Sequence, residues 1–262
     1  MNYIQEVQMD TTRGYVLYEE NDHKVIWLGW DEDVSSGAIQ TNQYLIVNSG
    51  KGILLDPGGV HLFSRVVSVV SRFISLDDVE SIFFSHQDPD VSSGIALWLG
   101  VTKAQVYIHD IWRRFVPHFG LVDQSRITPL EDEGGSINIG SASLKLVPAH
   151  FLHSAANFTL YDPRSKILFS GDIGTAVFPE GKEYPEVEDF DAHRRLMEPF
   201  HVRAMGSNRA AAGWIDACKK LDVSILAPQH GAMMRGELVT KFYEWFGNLD
   251  CGIDYLKSRT GV

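Results

Sequence analysis

Short apolar runs divided by Asn, Asp, Ser and Gly clusters fill the first third of the chain, and that pattern is the signature of strands separated by turns. Residues 14–18, 25–28, 44–47 and 53–56 read as strands, and the stretch YLIVNSGKGILLD predicts a hairpin turning at residues 48–52. Residues 60–74 carry helical apolar spacing, and the continuous apolar run at 79–85 reads as a buried strand that leads directly into His86-Gln87-Asp88-Pro89-Asp90. A helix at 92–100, a strand at 105–109, and strands at 143–148, 156–161 and 166–170 follow. Helices at 189–200 and 204–221, a strand at 223–227 and a last helix at 237–248 complete the pattern. The order is β-rich, α, β, α, β-rich, α, β, α, which places the chain in the α/β class with two central sheets and helices outside. No Pro/Gly/Ser linker divides it, so residues 1–262 are expected to form one domain. Residues 174–190, rich in Pro, Gly and acids, read as an ordered loop or lid.

Composition narrows the function classes. With 44% hydrophobic residues the chain has enough apolar material for a large core and is not a disordered segment. The 34 acids outweigh 23 basic residues to give a net charge of −11, which repels nucleic acid and anionic membranes. No run approaches the roughly 18 apolar residues of a spanning helix. The first ten residues do not read as a leader, so a cytoplasmic protein is expected. The two cysteines, Cys218 and Cys251, have no metal-ligand spacing and support no disulfide framework; Cys218 lies in a helical apolar pattern and reads as a buried, inert thiol.

The histidines and aspartates carry the chemistry. His86, Asp88 and Asp90 stand at i, i+2 and i+4, so an extended backbone would project all three to one side, with Pro89 biasing Asp88 toward that conformation. Taken alone, this segment also reads as an acidic surface turn. Ligand-type residues recur, however, after three more apolar runs: His150 and His153 in PAHFLH, Asp172 in FSGD, and His230 in APQHG.

From TNQYLIVNSGKGILLDPGG to APQHG the chain resembles the metallo-β-lactamase-like fold, and within it the di-iron domain of flavodiiron proteins. That family's pattern is H-x-E-x-D-H, then a histidine, an aspartate about nineteen residues later, and a histidine in a P-x-H-G turn. His86 matches the first histidine, Asp88 stands in place of the glutamate, Asp90 matches the aspartate, His153 lies nineteen residues before Asp172, and His230 closes the set. Val91 occupies the position of the second histidine of the first motif. The resemblance implies an αββα sandwich of two mixed sheets. It also implies one metal held by His86, Asp88 and His153, a second by Asp90 and His230, and Asp172 bridging. His150 reads as an extra ligand, a hydrogen-bond partner of a ligand or an ordinary strand-end histidine, and the second of these is preferred. Three carboxylates and three imidazoles are a harder donor set than the histidine-rich set of zinc hydrolases, and favour iron.

The chain ends about a dozen residues after Cys251, with no phosphate cradle, so no FMN-binding flavodoxin domain is expected in cis. The resemblance is therefore to the stand-alone oxygen-binding di-iron proteins associated with bacterial chemotaxis. It implies a protein that binds O2 at two irons (Fe2+/Fe3+) as an iron-peroxo species, acts as an oxygen or iron sensor, signals to a chemoreceptor or other chemotaxis protein, and assembles as a homodimer. Two other readings stay open: an O2 or NO reductase fed by a separate flavoprotein or rubredoxin, and a zinc-dependent hydrolase. Other features have plainer readings. His109 reads as a structural hydrogen-bonding residue, and His23, His61, His118, His193 and His201 as surface or helix-end residues. Trp98, Tyr107, Trp112, Phe115 and Phe119 read as core, and Asp56 as the structural aspartate of the family's D-x-G turn.

Overall fold

The computed structural model describes residues 11–31, 39–120 and 123–260. The expectation that no leader occupies the first ten residues lies outside them. The strands are β1 (Tyr15–Glu20), β2 (His23–Trp27), β3 (Tyr44–Asn48), β4 (Lys51–Leu55), β5 (Val79–Phe83), β6 (Gln105–His109) and β7 (Ile127–Leu130), followed by β8 (Gly135–Ile139), β9 (Ala142–Pro148), β10 (Phe158–Asp162), β11 (Ile167–Gly171), β12 (Ile225–Pro228) and β13 (Met234–Arg235). The helices are α1 (Phe63–Val70), α2 (Pro89–Ser92), α3 (Ile95–Val101), α4 (Asp110–Arg113), α5 (Phe190–Ala204), α6 (Asn208–Cys218), α7 (Glu237–Gly247) and α8 (Ile253–Thr260). Strands β1 to β7 form one sheet in chain order, and the second runs β13-β12-β11-β10-β9-β8. Both sheets are mixed: β4 to β7 pair in parallel in the first, and β11 with β12 in the second.

The alternation of side chains along each strand builds three apolar layers. On β3 and β4, Tyr44, Ile46, Ile53 and Leu55 face Leu144, Phe158, Leu160 and Phe169 of the other sheet. Leu45 and Leu54 point the other way, under α1 and α3. A third layer lies between the second sheet and α5, α6 and α7, around Met197, Trp214 and Phe242. Strands covered on both faces read as continuous apolar runs, which is why β3, β4, β5 and β11 were legible. The β3–β4 hairpin closes on two residues, Ser49 and Gly50, both with left-handed φ (51° and 75°), the geometry that matches strand twist.

Several elements differ from the sequence reading. The segment expected as a helix over 60–74 is a 3-10 turn at Val60–Leu62 followed by the shorter α1. Helix α5 continues through Pro199 to Ala204. Strands β7, β8 and β13 and helix α8 were not anticipated. In β8 only Ile137 and Ile139 are buried, and the preceding Glu-Asp-Glu-Gly-Gly cluster masks the alternation. His23, His193 and His201 are fully buried, contrary to the surface reading, whereas His61 and His118 are exposed. Phe115 is more than half exposed and is not core. His23 hydrogen-bonds to Asp162 at 2.8 Å and so pins β2 to β10, one sheet to the other. Burial pushes the Cys218 thiol up, which fits an inert cysteine. Among the described residues no helix is long and apolar enough to cross a membrane.

Candidate metal centre

Six side chains meet where β5, β9, β11 and β12 run out into loops. β5 ends at Phe83, and the chain does not continue extended through Asp90 as the alternation suggested: it turns into α2, with Pro89 at the first helical position and Asp88 preceding it. The Asp88 carboxylate does not cap that helix. It accepts a hydrogen bond from His153 Nε2 at 2.8 Å and lies 3.7 Å from His86 Nε2. The turn into helix sends Asp90 to a different neighbour, His230 Nε2, at 3.1 Å.

Asp172, the first residue after β11, stands between these two groups. Its Oδ2 is 3.8 Å from His86 Nε2 and 3.4 Å from His153 Nε2, while its Oδ1 is 3.4 Å from His230 Nε2. Each oxygen thus faces one cluster: His86, Asp88 and His153 on one side, Asp90 and His230 on the other. His86, Asp172 and His230 form a buried floor, and Asp88, Asp90 and His153 face outward.

The supporting contacts explain how the loops hold this arrangement. His153 has a φ of +76° and Phe151 of +63°, a region non-glycine residues rarely adopt, so surrounding structure must impose it. Gly206 N–H donates to the Phe151 carbonyl (2.7 Å), Asn157 Nδ2 to the Leu152 carbonyl (2.7 Å), and Ser154 Oγ to Gln87 Oε1 (2.7 Å), which ties the two ligand loops together. Gly231, beside His230, has a φ of +94°, and a Cβ there would come within 2.8 Å of the Ala176 amide. Asn42 holds the same turn: its Nδ2 donates to the carbonyls of Pro228 and Gly231, and its Oδ1 accepts from the indoles of Trp27 and Trp30. The sequence reading missed Asn42 and Gln40, because a polar residue serving a turn nearly two hundred residues away has no local pattern, and it passed over Gln87, whose partner Ser154 is 67 residues away, and Ser85, a small polar residue beside His86.

The electrostatics point to a cation. His230 Nδ1–H donates to the Gln40 carbonyl at 2.9 Å, which turns its Nε2 toward Asp90 and Asp172; burial opposes charging the ring, but the bond to Asp90 and the two carboxylates raise it, so the pocket favours a positive charge there, carried by a proton or a metal ion. Burial opposes charging His86, yet the carboxylates of Asp172, Asp88 and Asp56 outweigh it and raise the imidazole to about 9. Hydrogen bonds from His153 and His86 hold the Asp88 carboxyl well below the usual carboxylate range. Burial raises Asp56 to about 6 against the Ser85 N–H it accepts at 2.7 Å; it stays behind the donors as the structural residue of its turn. His86 Nε2 and Asp172 Oδ1 are buried and lack hydrogen-bond partners, a costly state that a bound metal relieves. Donors at ~2.1 Å from a shared ion lie roughly 3.0–3.4 Å apart, close to the spacings found. The residues present therefore fit a pair of metal ions.

His150 is placed elsewhere. Its Nε2–H donates to the Asp132 carbonyl at 2.8 Å, and its ring packs against His109 and Phe158; none of its hydrogen bonds reaches the six donors, which corrects its expected place beside a ligand. His109 Nε2–H donates to the Asp132 carboxylate at 2.8 Å, while its Nδ1 accepts from Ile111 N–H. His109, Asp132 and His150 are close enough to suggest a second metal group. A metal on His109 Nε2 would require a proton on Nδ1, which already faces a donor, so this trio is a hydrogen-bonded knot.

A family model described as ODP family beta lactamase matches residues 39–231, a span that includes all six donors. The chain belongs to the ODP family. The chemotaxis sensor ODP, solved as a peroxy diiron species, is 54% identical with a TM-score of 0.84 over 94% of this chain and 98% of its own. Chemotaxis sensor ODP from T. denticola in an apo state gives 54% identity and a TM-score of 0.82. A flavo di-iron protein variant from Thermotoga maritima, 18% identical, shares the fold with a TM-score of 0.74 over 91% of this chain and 61% of its own. The metallo-β-lactamase-type sandwich is thus common to all three. The chain spans about half or less of the length of the curated relatives it matches; one, Diflavin flavoprotein A 1 of Synechocystis sp., is 25% identical over 83% of this chain and 39% of its own length.

Proposed function

We propose that this ODP-family protein is a di-iron O2 sensor. The observation that carries the reading is Asp172, a buried carboxylate whose two oxygens face two separate groups of donors and whose Oδ1 has no hydrogen-bond partner. One iron would be held by His86, Asp88, His153 and Asp172, the other by Asp90, His230 and Asp172. The oxygen-rich donor set supports iron over zinc. Two ferrous ions there would supply the binding and the electrons that O2 needs. Val91, fully buried in the apolar layer under α1 and α3, offers no nitrogen donor to the second position, which an external ligand would have to complete. The 54% identity to a protein described as a chemotaxis sensor supports sensing, with the output passed to a chemoreceptor-type partner. A cytoplasmic homodimer belongs to the same proposal.

Oxygen uptake tests it. Protein loaded anaerobically with ferrous iron and given excess chemical reductant should take up O2 in proportion to its iron pairs and then stop. Sustained consumption over many turnovers would identify a reductase instead, and hydrolysis of ester or thioester substrates by the zinc form would identify a hydrolase.

A further inference from the structure

Of two consecutive residues of α5, one touches a donor and the other the loop just after a second donor. The Phe200 ring packs on the His153 ring at 5.5 Å between centroids. His201 Nε2 accepts the Gly174 N–H at 3.0 Å, two residues beyond Asp172, and its Nδ1–H donates to the Met197 carbonyl. The buried His201 ring meets α7 on its other side, with centroids 5.2 Å from Trp245 and 5.3 Å from Phe246. A shift at His153 or in the loop after Asp172 therefore acts directly on α5 and, through His201, on Trp245.

Trp245 also belongs to a groove. Between α5 and α7 lies an open cleft of about 890 Å³ whose apolar surface comes from Phe190, Leu238, Trp245 and Leu249, each partly buried on the core beneath. Its rim carries six carboxylates, Glu188, Asp189, Asp191, Glu198, Glu237 and Glu244, against two cations, Arg194 and Lys241. Both cations are already engaged: Lys241 pairs with Glu237 at 2.9 Å, and Arg194 lies 3.8 Å from Asp191 and 4.0 Å from Glu198. Among the described residues no cation pairs with Glu188 or Glu244. Pro199 lies between the groove-lining part of α5 and the residues that touch the donors, and its missing N–H weakens the helix ladder there, so the two parts can bend relative to each other.

We propose that this groove is the docking site for a cationic amphipathic segment of the signalling partner, with basic side chains on the rim and apolar ones on Phe190 and Trp245, and that α5 reports the state of the donor cluster to it. The proposal rests on the di-iron sensor reading for its input, and on charge complementarity for its occupant. A second copy of this chain would oppose one acidic rim to another, which like-charge repulsion disfavours. A small cation would need no aromatic floor, whereas a helix laid in a groove uses both.

The test uses a fluorescein-labelled helical peptide with lysines on one face and leucines and a tryptophan on the other, titrated into the iron-loaded 262-residue chain before and after O2. A peptide with glutamates in place of the lysines is the control. The lysine peptide should bind, the control should not, and the affinity should change several-fold on adding O2. The double variant Glu198→Lys/Glu244→Lys should weaken binding by at least ~10-fold with iron content and visible spectrum unchanged. His201→Phe, which loses the bond to Gly174 and keeps a ring against Trp245, should bind the peptide with one affinity in both states. Unchanged affinity in the double variant, equal wild-type affinity before and after O2, or no binding of the lysine peptide would overturn the proposal. Failure of the wild type to take up iron would instead refute the di-iron reading, and the charge-reversal comparison on that same sample would still decide the groove.

Discussion

Acid should weaken this protein through a histidine that the chemistry does not use. His193 is fully buried in α5, its Nδ1 accepting from Tyr184 O–H at 2.8 Å. Burial, helped by nearby His201, pushes its imidazole down to about 4, whereas an unfolded chain releases that proton near 6.5. Between those values the unfolded state binds more protons than the folded one. The stability is therefore complete above about pH 6.5 and falls as the pH drops toward 4. A displacement of about 2.5 corresponds to roughly 3 kcal/mol in full, of which about 2 kcal/mol is lost by pH 5. His193→Leu keeps the apolar fit and removes the titrating ring. Urea unfolding of both proteins at pH 7.5 and pH 5 should show the variant losing about 2 kcal/mol less than the wild type over that interval. The variant's lower stability from the lost Tyr184 bond and the titration of all other groups cancel in this difference. An equal or greater loss in the variant would refute the reasoning.

Three further substitutions separate the roles assigned above. Asp172→Asn should lower metal affinity by more than the ~10–100-fold that outer contacts cost and leave well under two irons per chain by elemental analysis; full iron content would contradict a bridging role. His150→Ala should keep the wild-type iron content and lower stability by about 1 kcal/mol for its lost hydrogen bond, and loss of iron would return His150 to the site. Asp162→Ala strips the buried His23 of its partner and should cost about 3–5 kcal/mol in a urea melt, with normal iron content per folded chain; a cost under about 1 kcal/mol would show that the pair does not join the sheets.

The donors were legible because each stands just beyond a strongly apolar strand, where side chains from distant segments converge. His86, Asp172 and His230 lie within three residues of the ends of β5, β11 and β12, and those strands are buried throughout or nearly so. The local path between donors was less legible. Alternation predicted His86, Asp88 and Asp90 on one side of an extended segment, but Pro89 at a helix start turned the chain and divided them between two groups. His150 and His153 both lie in the loop after β9, and only a left-handed backbone at Phe151 and His153, set by Gly206 and Asn157, decides which ring faces the site. Buried His193 escaped notice because Tyr184, nine residues before it, lies in an irregular loop, and buried His23 and His201 because their partners, Asp162 and the Gly174 amide, come from other elements. Asn42 escaped for the same reason.

The central claim is tested most directly by the visible spectrum of the anaerobic ferrous protein after a single addition of O2, with iron measured on the same sample. The account predicts about two irons per chain and a charge-transfer band that persists for minutes, the slow decay expected where the site is not resupplied with electrons. No band at full iron content, or tight zinc binding with no iron uptake, would contradict it.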